Sequence, residues 1–298
     1  MQYDAAVIGG SFAGLSAAMQ LARARRKVLM IDAGLPRNRF AKTSHGFLGQ
    51  DGRAPQEIVD IGRSQLLAYP TAQIIHAEAS AVAQSEQAFS IELSNGQKIS
   101  AARLVLATGV KDELPQIAGL EDRWGATVLH CPYCHGYEVA DRRIGVLGSG
   151  PGSIHQAALV ADWGPVTLFT MGVVQPSPED LALLAKRNVQ IENAPIVELV
   201  GAAPEMEAVR LQDGRVLPLG ALFLMPRTRF VSDLALRLGC STEEGPMGPY
   251  LKVDERKQTS VANLFAAGDV AAPMPNATLA AAAGVLAGGA AHQSLIFG

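Results

Sequence analysis

The feature that most restricts the fold of this 298-residue chain is a glycine-rich turn between two short apolar strands near the N-terminus. An apolar strand is predicted over 5–8, and the turn GGSFAG comes next at 9–14. A helix of small residues is predicted over 15–24, and a second apolar strand over 28–31. This order is typical of a βαβ unit that binds a dinucleotide.

Individual residues of this unit have predicted roles. Gly9 permits the tight turn, and Gly14 allows the helix to approach the strand closely. Ser11 occupies the place of the glycine that usually faces the pyrophosphate. Asp32, directly after the second strand, is expected to accept hydrogen bonds from a ribose hydroxyl group.

The same order recurs once, with a strand at 143–147, a turn GSGPGS at 148–153, a helix at 154–163 and a strand at 166–170. The chain is therefore predicted to be an α/β protein with two Rossmann-like, doubly wound nucleotide-binding folds. The second fold differs at the end of its second strand. The segment Thr170–Gln175 offers neither a carboxylate for a ribose nor an arginine for a 2′-phosphate, so NADPH binding there is doubtful.

Later segments complete the first fold. The apolar strand at 104–109 ends in Thr108 and Gly109, and the strand at 264–270 delivers Asp269 to the ligand-binding edge of the sheet. The second fold is thus predicted to be inserted into the first. The predicted boundaries are 1–113 with 245–298 for the first domain, and 114–244 for the inserted domain.

Between the two folds lies the run HCPYCHG at 130–136, in which Cys131 and Cys134 are separated by two residues. Such a pair can form a small disulfide ring, and a helix start lowers the pKa of one thiol. The spacing also matches a c-type haem attachment site, and with His130 the run could supply zinc ligands. The motif alone leaves these three alternatives open.

Composition narrows the choice. Three cysteines cannot build a disulfide framework, and Cys240 is expected to be a buried apolar residue. No signal peptide is expected before the first strand, which predicts a cytoplasmic location and disfavours haem attachment. A net charge of −3 predicts no nucleic-acid partner. The apolar segment 278–290 is shorter than a membrane span, so no membrane association is expected.

Taken together, the glycine turns, the ATG strand, the inserted C-x-x-C and the terminal GDV resemble the low-molecular-weight thioredoxin reductases over nearly the whole chain. That resemblance implies FAD in the first domain and a homodimer. It also implies that Cys134 faces the flavin and that Cys131 exchanges with substrate. The expected cofactor-binding residues are Gly9, Ser11, Phe12, Ala13, Gly14, Asp32, His45, Thr108, Gly109, Gly268, Asp269, Asn276 and Ala277.

The chain also departs from the typical thioredoxin reductase pattern. His135 stands where those enzymes have an aspartate after the second cysteine, and the arginine-rich NADPH run is missing. The runs 37–52 and 131–138 look closer to the branch that contains the gliotoxin and holomycin dithiol oxidases. Those flavoenzymes close a dithiol into a disulfide and pass the electrons to oxygen.

The sequence therefore predicts an FAD-dependent oxidase of a small-molecule dithiol, with Cys131, Cys134 and His135 as catalytic residues. His135 is expected to deprotonate the incoming thiol, because a histidine titrates near neutral pH. The alternative is a disulfide reductase that acts on a small disulfide or a thioredoxin-like protein and uses NAD(P)H or another donor such as ferredoxin. A metal- or haem-binding protein is a third interpretation, although no metal site is expected.

Overall fold

The computed structural model describes residues 2–85 and 88–298. Its helices are α1 (Phe12–Arg23), α2 (Pro55–Leu67), α3 (Pro132–His135), α4 (Gly152–Val160), α5 (Pro178–Lys186), α6 (Leu234–Arg237) and α7 (Ala277–Phe297). Its strands are β1 (Gln2–Ile8), β2 (Val28–Asp32), β3 (Ala72–His76), β4 (Ala79–Gln84), β5 (Phe89–Leu93), β6 (Lys98–Leu106), β7 (Val110–Glu113), β8 (Val128–Leu129), β9 (Ile144–Leu147), β10 (Val166–Phe169), β11 (Gln190–Glu192), β12 (Ile196–Val200), β13 (Ala208–Leu211), β14 (Val216–Pro218), β15 (Ala221–Phe223), β16 (Arg227–Phe230), β17 (Thr242–Gly245), β18 (Gly248–Leu251) and β19 (Leu264–Ala266).

The chain forms two compact units. The first comprises Met1–Arg39, Pro55–Lys111 and Thr228–Gly298, and the second comprises Phe40–Ala54 and Asp112–Arg227. Each unit contains one of the two predicted nucleotide-binding folds.

A seven-stranded sheet forms the centre of the first unit. Strands β3, β2, β1, β6 and β19 run parallel, and β5 and β4 continue the sheet in antiparallel fashion beside β6. The elements β1, α1 and β2 are the predicted βαβ unit. Residues 5–8 and 28–31 of these strands are buried on both faces, which agrees with their continuously apolar sequence.

Helix α7 packs closely on α1 in the first unit. A Cβ atom added at Gly284 would lie 2.1 Å from the Ala13 carbonyl oxygen, and one at Gly288 would lie 2.4 Å from that of Ala17. The glycines therefore permit a helix–helix approach that any side chain would prevent. The small residues of α7 therefore allow it to pack against α1.

The same helix has 21 residues and a mean hydropathy of 1.3 over its most apolar window, enough by length and composition to cross a membrane. The apolar segment predicted at 278–290 was shorter than this helix, because the helix continues to Phe297. A third of that window is buried inside the protein. Length and apolarity are shared by membrane spans and by core helices, so on their own they favour neither.

In the second unit, β11, β10, β9, β15 and β8 form a parallel sheet. The elements β9, α4 and β10 are the second predicted βαβ unit. The antiparallel strands β12, β13 and β14 form a separate three-stranded sheet. The predicted α/β class with two Rossmann-like folds is confirmed.

The boundary of the second unit differs from the predicted one at its end. The inserted domain was predicted to reach residue 244, but the second unit ends at Arg227. Segment 228–244 belongs to the first unit because Leu234, Ala235 and Cys240 pack into that unit's core. Cys240 is buried, as predicted, and burial raises the pKa of its thiol.

The second boundary difference concerns residues 40–54, which were predicted within the first domain. They cluster with the second unit. Phe40 lies against the backbone of Gly125, where an added Cβ would come within 2.7 Å of the Phe40 Cβ. His45 in the same segment contacts Glu138. These contacts join a segment that is distant in sequence to the region of the cysteine pair.

Candidate active site

The two motif cysteines form a disulfide at the start of the short helix α3. Cys131 is the N-cap residue, Pro132 begins the helix, and the Cys134 amide donates a hydrogen bond to the Cys131 carbonyl oxygen at 3.2 Å. Proline suits this position because its fixed φ fits a first helical turn and no donor is lost. With both sulfurs bonded to each other, neither is free to ligate a metal or to attach a haem.

Among residues 2–85 and 88–298, no group of three or more His, Cys, Asp and Glu side chains is arranged to hold a metal ion. The motif is instead anchored by apolar packing. Gly136 comes directly after α3, and a Cβ there would lie 2.7 Å from the ring of Trp163. The rings of Tyr133 and Trp163 meet edge to face, with centroids 6.0 Å apart.

His135 is the last residue of α3 and is partly buried. Burial lowers the pKa of its imidazole from the ordinary value, the carboxylate of Glu138 acts in the opposite direction, and His45 lowers the pKa further. The ordinary histidine pKa is about 6.5, so the net shift leaves His135 mainly neutral at pH 7. A neutral imidazole can accept a proton.

His45 lies in the same unit as the disulfide. Its Nε2 atom is 3.3 Å from a carboxylate oxygen of Glu138 and 3.0 Å from the Thr43 hydroxyl, and its Nδ1 atom is 3.6 Å from Asp51. The sequence predicted a role for His45 near the cofactor or the substrate, but it indicated no role for Glu138. The structure brings His45, Glu138 and His135 together. A carboxylate three residues after a helical histidine was the available signal, because such residues lie on one face.

The first glycine turn has the geometry that a dinucleotide needs. Gly9 has φ of +108°, and an added Cβ would lie 2.1 Å from the Ala107 carbonyl oxygen. At Gly14, an added Cβ would lie 1.8 Å from the Gly9 carbonyl oxygen, so α1 begins directly against the turn. Within the part of the chain that the structure describes, the Ser11 side chain makes no capping hydrogen bond. The start of α1 is therefore suited to a phosphate, which can accept from backbone amides there.

Asp32 closes this turn at the end of β2. Its Oδ1 atom accepts a hydrogen bond from the Gly10 amide at 3.0 Å, and its Oδ2 atom accepts one from Arg63 of α2. Each carboxylate oxygen has two lone pairs, so both can still accept a ribose hydroxyl. Arg63 was missed from the sequence because nothing local links it to a residue 31 positions away.

A second group of predicted cofactor-binding residues lies near the C-terminal end of the chain. Gly268 has φ of +81°, and Asp269 after it accepts a hydrogen bond from Arg37 at 3.1 Å. Asn276 caps α7 by accepting from the Leu279 amide at 3.1 Å, which places Ala277 at the first turn of a long helix. Arg37 was not among the predicted site residues.

Thr108 and Gly109 come after β6, the strand beside β1, and Gly109 has φ of +68°. The tight turn, the acid at the end of β2 and the uncapped start of α1 in the first unit fit FAD. The individual contacts of the thirteen predicted cofactor-binding residues with the flavin nucleotide remain predictions.

Comparison with known proteins agrees with this geometry. The family model "Pyridine nucleotide-disulphide oxidoreductase" matches residues 3–284. Thioredoxin reductase tcpT of Claviceps purpurea is 33% identical over 304 residues, which cover 98% of this chain and 94% of the relative.

Two solved structures are similar over nearly their full lengths. An oxidoreductase from Agrobacterium tumefaciens is 48% identical, with a TM-score of 0.95 and coverage of 100% of this chain and 99% of the other. HlmI is 36% identical, with a TM-score of 0.91 and coverage of 98% and 92%. The predicted resemblance to the low-molecular-weight thioredoxin reductases and their dithiol-oxidase branch is confirmed. The chain belongs to the pyridine nucleotide-disulphide oxidoreductase family and is a thioredoxin reductase-like flavoprotein oxidoreductase.

Proposed function

We propose that the protein is an FAD-dependent dithiol oxidase, which closes a small-molecule dithiol into a disulfide and uses oxygen as the electron acceptor. The observation that carries this proposal is a partly buried histidine, His135, directly after Cys134 of the disulfide. Oxidation of a dithiol needs a base for the incoming thiol, and His135 is suited to that task. The match to HlmI and the missing arginines at Thr170–Gln175 support the same interpretation.

The first half of the reaction uses only this chain's own residues. His135 takes the proton of one substrate thiol, and the resulting thiolate attacks the Cys131 sulfur. The Cys131–Cys134 bond breaks, and its electron pair leaves on Cys134. The second substrate thiolate then attacks the substrate sulfur of the mixed disulfide, which releases a disulfide product and the reduced cysteine pair.

The second half restores the disulfide. Bound FAD would supply the two-electron acceptor for the cysteine pair, and oxygen would take the two electrons and two protons to become hydrogen peroxide. Asp32, the first amides of α1 and Asp269 would hold the cofactor, and no pyridine nucleotide is needed. In this proposal the first unit binds FAD and the second unit presents the disulfide. Homodimer formation, a cytoplasmic location and the lack of a nucleic-acid partner remain predictions.

A disulfide reductase is the second candidate, because relatives such as tcpT carry the name thioredoxin reductase. In that case electrons would arrive from NAD(P)H or another donor such as ferredoxin, and thioredoxin or a small disulfide would be the acceptor. The two candidates use the same cysteines in opposite directions. They differ in whether electrons enter through a dithiol or through a separate donor.

Oxygen uptake with dithiothreitol as the only reductant tests the proposal. The flavin-loaded protein should consume one oxygen and form one hydrogen peroxide for each dithiol oxidised. Cys134→Ser should reduce this uptake to the background rate, because the enzyme disulfide can no longer form. A Cys240→Ser variant is the matched control and should retain uptake, since Cys240 is buried in the other unit.

A different result would favour the second candidate. Rapid NADPH oxidation with a generic disulfide, together with slow oxygen uptake from dithiothreitol, would contradict the oxidase proposal. Oxygen uptake that persists in Cys134→Ser would show that free flavin, rather than the cysteine pair, transfers the electrons.

A further inference from the structure

Two histidines of the second unit share one carboxylate. Glu138 lies three residues after His135 and acts electrostatically on its imidazole. The Oε1 atom of Glu138 is also 3.3 Å from Nε2 of His45, which comes from the segment 40–54. His45 itself acts on His135. The three side chains therefore form one electrostatic group beside the Cys131–Cys134 disulfide.

The Glu138 carboxylate favours the charged form of the His135 imidazole, because a nearby opposite charge stabilises an imidazolium. In the described part of the chain, the groups that act on His135 are Glu138 and His45. His45 also faces Asp51, which is 69% exposed and 3.6 Å from its Nδ1 atom. The contact with His45 therefore holds the Glu138 carboxylate in the region of His135.

We propose that Glu138 is a positioning residue that stabilises the imidazolium formed when His135 deprotonates a substrate thiol, and that His45 holds the Glu138 carboxylate in place for this role. The inference rests on the proposed function and adds two residues to it. The S–H bond of the substrate breaks, an N–H bond forms on His135, and the sulfur keeps the electron pair for attack on Cys131. The proton then leaves His135 for water, so His135 is neutral again for the second thiol.

An exposed ion pair elsewhere in the unit contributes little, and it provides the control. Glu198 pairs with Arg210 at 2.7 Å, and its side chain is 44% exposed, against 36% for Glu138. Glu198→Gln removes a carboxylate of similar exposure from the same unit. It should leave every step at the disulfide unchanged.

The test is the anaerobic reduction of the flavin by dithiothreitol, followed in a stopped-flow instrument across the neutral pH range. In Glu138→Gln, the acidic limb of the rate profile should move to lower pH by about 1 unit, because the carboxylate no longer raises the His135 pKa. The plateau rate should fall by roughly tenfold, because the imidazolium is less stabilised. Glu138→Asp keeps the carboxylate, so it should retain most of the plateau rate and most of the pH position of the acidic limb. His45→Gln should lower the plateau rate by a smaller factor.

A second readout does not depend on turnover. NMR titration of ¹³C-labelled histidines should show the His135 resonance titrating at lower pH in Glu138→Gln and unchanged in Glu198→Gln. A Glu138→Gln profile with an unmoved acidic limb would overturn the inference, even if the rate falls, since a structural defect lowers the rate alone. If dithiothreitol fails to reduce the flavin of the unmodified protein, the proposed function itself fails.

Discussion

The two βαβ units have the same framework but different turns. In the first, the Gly9 amide donates a hydrogen bond to the carbonyl oxygen of Ile31, the next-to-last residue of β2. In the second, the Gly148 amide donates to the carbonyl oxygen of Phe169, the last residue of β10. These bonds align the turns residue by residue, so Gly14 corresponds to Ser153. The turns can therefore be compared at equivalent positions.

The difference lies in the residues after the first glycine. In the first unit, the second turn residue, Gly10, donates its amide hydrogen bond to Asp32. In the second unit, the Ser149 amide donates to the hydroxyl of Ser153 at 3.0 Å. The residue equivalent to Asp32 is Thr170, whose hydroxyl bonds to Asn193 at 3.1 Å. The second turn thus uses its polar groups within the protein, whereas the first keeps a carboxylate at the place of a ribose.

This difference shows that a βαβ framework can form without the carboxylate and arginine side chains that bind a nucleotide. Its strands and helix are maintained by apolar burial, since β9 and β10 lie in one core cluster with α4. The burial of these apolar side chains does not require an acid at the position of Asp32 or an arginine nearby. If the difference is functional, substitutions at equivalent positions of the two folds should have unequal effects on cofactor binding.

The largest effect is expected from alanine at the equivalent positions 14 and 153. In Gly14→Ala the new Cβ would lie 1.8 Å from the Gly9 carbonyl oxygen, so α1 must move away from the turn. The free energy of unfolding should fall by about 3 kcal/mol, and the flavin should be lost. Ser153→Ala removes the hydroxyl that bonds to the amide and the hydroxyl of Ser149, and should cost about 1 kcal/mol with the flavin retained. Thermal unfolding measures the stability of the two variants, and flavin absorbance measures their cofactor content. Equal losses of stability and flavin in Gly14→Ala and Ser153→Ala would contradict the comparison.

A smaller effect is expected at the strand ends. Asp32→Asn keeps an acceptor for the Gly10 amide but removes the charge, so FAD affinity should fall by roughly tenfold. Thr170→Val, the equivalent change in the second unit, should leave FAD affinity unchanged. Reconstitution of the apoprotein with FAD gives both dissociation constants. An unaffected Asp32→Asn variant would show that the acid does not contact the cofactor.

Introducing arginines into the second unit tests whether their absence is what weakens NADPH binding there. Val173, 62% exposed, and Gln175, also exposed, lie in the run that lacks arginines. The double variant Val173→Arg with Gln175→Arg should bind NADPH several-fold more tightly, because each guanidinium can pair with the 2′-phosphate. Calorimetry with NADH is the control, since NADH lacks that phosphate. A gain that is equal for both nucleotides would contradict the proposed reason for weak binding.

The smallest effect is expected at an ion pair near the end of β11. Arg215 pairs with Glu192 at 2.7 Å, and this hydrogen bond lowers the pKa of the Glu192 carboxyl. A lowered folded-state pKa means that the contribution to stability is present above the ordinary carboxyl pKa and is lost as pH falls. Arg215→Gln should leave the thermal midpoint nearly unchanged at pH 7 and indistinguishable from the unmodified protein in acid. A large loss at pH 7, or any loss of flavin, would contradict this assignment.

Much of the architecture could be predicted because its signals are local. Glycine turns, apolar strands and the helix between them are contiguous, and both βαβ units are present in the structure. Contacts between distant segments could not be predicted. Arg37 bonds to Asp269 across 232 positions, and His45 meets Glu138 although the whole of the first sheet's β3 to β6 lies between them in the chain. The length of α7 was underestimated because its apolar character weakens after Ala290 while the helix continues.

An anaerobic absorbance titration of the flavin-loaded protein, first with NADPH and then, in a separate sample, with dithiothreitol, distinguishes an oxidase from a reductase. For a dithiol oxidase, we expect that NADPH leaves the flavin absorbance unchanged, that the dithiol bleaches it, and that air restores it. Prompt bleaching by NADPH would rule out the oxidase proposal, because the second fold would then bind a nucleotide despite its turn, and the protein would be a reductase.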